Sequence, residues 1–85
     1  MSFKVGDQIV YIPRHAKDMF HPDAEFGFIT GFNFDSAAFC RYWSNSDRTR
    51  LRTTANSEAT PIDTLERYAL KPQILITQTL TELGY

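Results

Sequence analysis

Arg48, Arg50 and Arg52 alternate along the chain a few residues after Arg41. On an extended segment every second side chain shares a face, so the three guanidinium groups would project together. Phe39 and Trp43 would share the face of Arg41 on the preceding strand. Guanidinium groups interleaved with aromatic rings suit phosphate contacts and base stacking. The competing reading is a solvated hairpin face on which these arginines pair with Asp47 or other carboxylates, an arrangement of small energetic weight. A second group, His15, Asp18, His21 and Asp23, lies within nine positions. Imidazole and carboxylate donors suit a transition ion, but the spacing is neither a helical i, i+4 pair nor a recognised zinc pattern. A turn through Pro22 in which Asp23 accepts backbone N–H groups is the simpler account. No metal and no cofactor are therefore assigned, and His15, Phe20 and His21 stand as candidate partner contacts.

Nucleophilic catalysis finds little support. Cys40 sits in the middle of a strand-like run among core-type neighbours, where a buried, unreactive thiol is the better account. No strand–turn–helix elbow frames a serine, and there is no glycine-rich phosphate loop. The expectation is a protein that is not an enzyme.

These residues need a frame, and 85 residues supply one core. A net charge of −1, from nine basic and ten acidic residues, excludes a uniformly basic coat but permits a local patch. Aromatic residues make up 14% of the chain, more than so small a core needs. Some rings should therefore lie on the surface, available to a peptide, a base or a subunit. One cysteine makes neither an internal disulfide nor a cysteine-rich zinc site. With no long apolar run, the expectation is a cytoplasmic protein with no membrane contact.

Residues 4–7 lead into a first strand over 8–12, closed by Pro13. Residues 13–24 read as a long loop, a feature often tied to function. A second strand spans 25–32, where Gly27 and Gly31 suggest a bulge or sharp bend. After a turn over 33–36, a third strand covers 38–43, with Phe39, Arg41 and Trp43 on one face and Ala38, Cys40 and Tyr42 on the other. A polar turn at 44–47 and a fourth strand at 48–54 would complete a hairpin. Thr60 and Asp63 match a capping box with Pro61 at the first helical position, predicting one helical turn through Leu65. A short closing strand follows at 66–70. In the tail, Ile76, Leu80 and Leu83 lie at helical spacing between Pro72 and Gly84, which favours a helix over a strand. The expected fold is mainly β: a small, strongly bent SH3-like barrel of about five strands, with one helical turn before the last strand and a C-terminal helix or strand. Residues 1–70 would form the barrel and 71–85 an extension packed on it or on a partner.

Gly6, Asp7, residues 10–13, His15, Ala16, residues 21–23, Glu25, Gly27, Ile29 and the 39–42 run resemble small SH3-like proteins of tailed bacteriophages, with Ala59, Thr60 and Leu65 resembling their closing segment. Similar barrels occur in the Tudor and KOW group. The likeness covers residues 3–70 and departs from the family over 43–57 and 71–85. It implies a phage or prophage origin and a non-catalytic adaptor or inhibitor of a host factor, acting in the host cytoplasm. Protein binding is the first expectation. A nucleic-acid-binding module built on Arg41, Trp43, Arg48, Arg50, Arg52 and Phe39 is the alternative. The apolar tail also suggests self-association.

Overall fold

The computed structural model describes residues 2–33, 36–44, 48, 50–52 and 57–85. β-branched and aromatic runs form β1 (Gln8–Tyr11), β2 (Glu25–Phe32) and β3 (Ala37–Tyr42). Then follow β4 (Glu58–Pro61), a 3₁₀ turn (Ile62–Thr64), β5 (Leu65–Arg67) and α1 (Gln73–Leu83). The strands make one antiparallel sheet in the order β4-β3-β2-β1-β5. β4 and β5 are its edges, and no pairing joins them among the described residues. The coarse expectation of a five-stranded, mainly β domain with a C-terminal helix is met. Among the described residues no helix is long and apolar enough to cross a membrane.

β1 and β2 are buried on both faces. Ile9, Ile29, Ala38, Cys40, Tyr42 and Leu65 form a core on one face. Val10, Ala24, Phe26, Phe28, Trp43 and Ile76 form a second core on the other. Two-sided burial demands two covers, because an apolar face left in water forfeits about 25 cal/mol per Å². The second cover is α1: Ile76 is fully buried and Leu80 packs beside it. Gln8 holds this cover in place. Its side-chain amide copies a peptide group, donating to the Lys71 carbonyl at 2.6 Å and accepting from the Lys71 N–H at 2.9 Å. Gln73 then donates to the Gly6 carbonyl at 2.8 Å. At the far end of α1, Tyr85 contacts the Ser57 hydroxyl at 3.1 Å, and Ser57 meets Thr30 at 2.5 Å.

α1 itself is sparsely furnished. It has no side-chain cap, no acidic residue in its first turn and no basic residue in its last. Thr77, Thr79 and Thr81 turn their hydroxyls back onto carbonyls four residues earlier. Gly84, with φ of 85°, supplies the left-handed stop expected of it.

The two glycines of β2 have separate tasks. The register slips between Ile29 and Gly31, leaving Thr30 as the extra residue of a bulge. Gly27 instead permits close approach: an added Cβ would lie 2.1 Å from the Arg41 carbonyl oxygen.

Three details differ from expectation. The fourth strand is Glu58–Pro61, and the described residues of the 48–54 segment, 48 and 50–52, are not a strand. Leu51 makes an isolated bridge to Trp43, and β4 occupies the free edge of β3 instead. The cause is local: Arg48 takes a left-handed φ of 56°, and Ser44 N–H bonds the Arg50 carbonyl, so the chain turns back rather than extending. Residues 49, 53 and 54 of that expected strand, residues 45–47 of the turn before it, and residues 34 and 35 of the turn expected over 33–36 lie outside the described residues. Thr60 is not a helix cap either; it belongs to β4 and its hydroxyl meets the Tyr42 hydroxyl at 2.6 Å inside the core. The capping box thus fails because the threonine is already bonded. The single helical turn expected before the last strand is nevertheless present, as the 3₁₀ turn Ile62–Thr64, and the last strand begins at Leu65 and is shorter than 66–70.

Replacing Ile76 by Ala should cost about 2–5 kcal/mol, the range for truncating a fully buried aliphatic side chain. Urea unfolding followed by fluorescence of the sole tryptophan, Trp43, measures it. A loss below about 1 kcal/mol would mean that α1 does not seal the second core.

Candidate binding cleft and the loop cluster

The arginines expected to share a face are dispersed. Arg52 reaches the first face of the sheet, where its guanidinium pairs with Glu25 and lies 3.8 Å from Glu58. Arg48 stacks over the Phe26 ring at 4.4 Å, on the second face. Arg41 buries its Nε against the sheet without a hydrogen-bond partner, and its charge helps hold the Tyr85 phenol below its usual range after the larger effect of the Ser57 hydroxyl. The left-handed Arg48 and the backbone bonds of Ser44 with Arg48 and Arg50 explain the dispersal: alternation puts side chains on one face only while the backbone stays extended. Arg50 lies on the same returning segment, and its carbonyl is held by Ser44.

The aromatic candidates divide as well. Trp43 is a core residue, packed on Phe28 with ring centroids 5.8 Å apart and with the Lys71 ammonium 5.2 Å from its ring. Phe39 is half-buried against Gly31. Among the described residues Phe20 is the most exposed of the large apolar side chains, at 85%.

Where Arg52 pairs with Glu25, a cleft of about 220 Å³ opens, lined by Tyr11, Glu25, Tyr42, Glu58, Ala59, Thr60 and Pro61. The Tyr11 and Tyr42 rings meet edge to face at 6.5 Å. Burial raises the Glu25 carboxyl above the ordinary range, opposed by the Arg52 charge and reinforced by Glu58. Burial likewise pushes the Tyr42 phenol up, with Cys40 contributing. Two carboxylates face one guanidinium, so the cleft keeps a negative balance between aromatic walls. That combination suits a cationic side chain. The sequence reading missed Glu25 and Glu58 as site residues. Their proximity depends on β4 lying beside β3, and no spacing in the sequence encodes that pairing.

Residues 13–24 form a stitched loop. Ala16 N–H bonds the Pro13 carbonyl at 2.9 Å, and Ala24 N–H bonds the His21 carbonyl at 3.0 Å. Asp18 accepts from the Phe20 N–H at 2.9 Å, while Met19 packs on the second core. The loop gathers three of its four expected polar residues. His15 Nε2 lies 2.7 Å from Asp23 Oδ2, and His21 stacks edge to face on His15 at 5.3 Å. The hydrogen bond from His15 holds the Asp23 carboxyl below the usual carboxylate range. Asp18 stays with its own turn. Asp23 does accept, but from His15 rather than from backbone N–H groups.

Cys40 is fully buried, and burial pushes its thiol up to about 11. Taken together, these features define a small β domain with one acidic, aromatic-walled cleft and one His–Asp loop cluster. No protein-family model, curated protein or solved structure matches the chain.

Two outcomes follow from the electrostatics. Only the thiolate attacks a disulfide reagent, and its population at pH 8 falls about tenfold per unit of pKa. Folded protein should therefore react with Ellman's reagent at least ~100-fold more slowly than urea-unfolded chain. Equal rates would place Cys40 at the surface. Secondly, Arg52→Ala should move the Glu25 titration midpoint, followed by carboxyl NMR shifts, to higher pH. A raised carboxyl pKa means the folded state holds that proton more tightly, so its stabilising contribution is present at low pH and is lost as pH rises through the midpoint. A midpoint that falls or stays put in the variant would show that Arg52 does not stabilise the charged form.

Proposed function

We propose that this protein is a non-catalytic binding module whose acidic, aromatic-walled cleft takes an Arg or Lys side chain of a partner protein. The observation that carries the reading is the chain's own Arg52, whose guanidinium is held at that cleft by Glu25 and Glu58. An intramolecular guanidinium there is a template for an intermolecular one: a partner's cation would exchange with Arg52 or join it against the remaining carboxylate charge. Exchange matters for affinity, since Arg52 freed to solvent recovers hydration while the incoming cation satisfies the carboxylates.

The sheet order and the 3₁₀ turn before β5 support an SH3-like arrangement. The resemblance to phage-encoded SH3-like proteins extends the proposal to an adaptor or inhibitor of a host factor. The nucleic-acid alternative needs guanidinium groups converging on one surface. Arg41, Arg48 and Arg52 instead lie beside the Tyr85 phenol, an aromatic ring and a carboxylate pair.

Pull-down of tagged protein from bacterial lysate, with and without nuclease, separates these readings. A discrete protein partner should survive nuclease and fall at least about tenfold in recovery with Glu25→Gln/Glu58→Gln, as expected on removing the acidic half of a charge pair. Recovery of nucleic acid, abolished by Arg41→Ala/Arg48→Ala and indifferent to the carboxylate variant, would overturn the protein-binding assignment.

A further inference from the structure

We propose that His15, His21 and Asp23 bind a divalent first-row transition ion of the zinc type, independently of the acidic cleft. Each residue offers one donor atom, and the three atoms lie within 4.8 Å of one another. Metal–ligand bonds of about 2.0–2.1 Å in tetrahedral geometry place neighbouring donors about 3.3 Å apart. The His15 Nε2–Asp23 Oδ2 separation of 2.7 Å and the His21 Nδ1–Asp23 Oδ2 separation of 3.9 Å bracket that value. The third pair, the two imidazoles, lies within 4.8 Å, so side-chain rotation must bring those two nitrogens closer by up to about 1.5 Å to reach tetrahedral spacing.

The chemistry of the donors agrees. His21 Nδ1 accepts the Asp23 backbone N–H at 3.0 Å, so this nitrogen carries a lone pair rather than a proton, as a ligand must. Binding would exchange that hydrogen bond for a metal bond. His15 would present the Nε2 lone pair as the neutral tautomer that carries its proton on Nδ1, giving two neutral imidazoles and one carboxylate around a dication. Imidazole with carboxylate favours zinc, nickel or cobalt over magnesium or calcium, which prefer all-oxygen sets.

The frame is already built. Asp23 is followed by Ala24, which is buried in the second core, and Met19 anchors the middle of the loop there. The turn bonds at Ala16, His21 and Ala24 fix the backbone between the ligands, so little ordering entropy remains to oppose binding. His15 and Asp23 are largely solvent-exposed, which gives the ion an entry path and leaves a fourth position for water. An ion there would tie residue 15 to residues 21 and 23 and close the loop at its base.

The test uses the untagged full chain, because a histidine tag would compete. These are the chain's two histidines, so His15→Ala/His21→Ala leaves no imidazole elsewhere to mask the loss. Zinc chloride titrated calorimetrically should bind one-to-one, and each single alanine variant should weaken binding at least tenfold. Cobalt(II) should give visible d–d absorption of tetrahedral intensity in the wild type alone. Unchanged Trp43 fluorescence would show that the variants remain folded. As a readout that needs no variant, nickel(II) should broaden the amide resonances of residues 13–24 selectively. Zinc binding equally well to the histidine-free chain, no binding up to millimolar zinc, or broadening centred elsewhere would each overturn the assignment.

Discussion

A sheet whose central strands are apolar on both faces must be covered twice, and the side chain of Gln8 is where the second cover is fastened. Gln8 is a polar residue in a strand that is otherwise built for the core, and it is itself buried. A buried amide without partners costs more than the bond it could have made. Here the amide completes a two-way exchange with the Lys71 backbone, equivalent to one more rung of sheet. The chain leaving β5 is thereby aimed back across the second face, so that Ile76 meets Val10, Phe28 and Trp43. Without that anchor the second core would be a sheet face in water.

The same two-sidedness sorts the charged groups. Arginines that would share a face in an extended strand go to separate places once the chain turns at Arg48, which itself stacks on Phe26 while Arg52 reaches a carboxylate pair. What remains on the first face is a surplus of carboxylate beside two tyrosines. The first face is therefore one of acids and rings, with a basic group in a subordinate position. A nearly neutral total charge hides this local imbalance, since the surplus concerns a pair of residues.

Much of the frame was legible in the sequence because it rests on local signals. Alternation and β-branching marked β1 to β3, Pro13 ended the first run, and Pro72 with Gly84 bracketed α1. The failures lie where non-local contacts outweigh local pattern. Thr60 has the spacing of a helix cap, but Tyr42 claims its hydroxyl from the neighbouring strand. Residues 48–54 have the alternation of a strand, but the edge of β3 that they would need is filled by Glu58–Pro61. Gly27 and Gly31 both signalled irregularity, yet one serves a bulge and the other a close approach of two backbones, a distinction visible only with Arg41 in place. The candidate sites follow the same rule. The His–Asp residues are close in sequence and stood out as a group, although their spacing matches no ligand pattern and argued for a turn instead, whereas Glu25 and Glu58 are brought together by strand order.

α1 also bears on how the molecule reports its own integrity. Helices of about a dozen residues are marginal alone in water even with good propensity, and this one lacks capping side chains and dipole-matched charges while carrying several β-branched residues. In isolation it would be a coil. Its helical state is lent to it by the sheet, through Ile76, the Gln8 amide and the Tyr85 tether. The far-ultraviolet helical signal of this largely β chain is therefore a gauge of sheet integrity, and it should vanish whenever the second face opens, even if the strands stay paired.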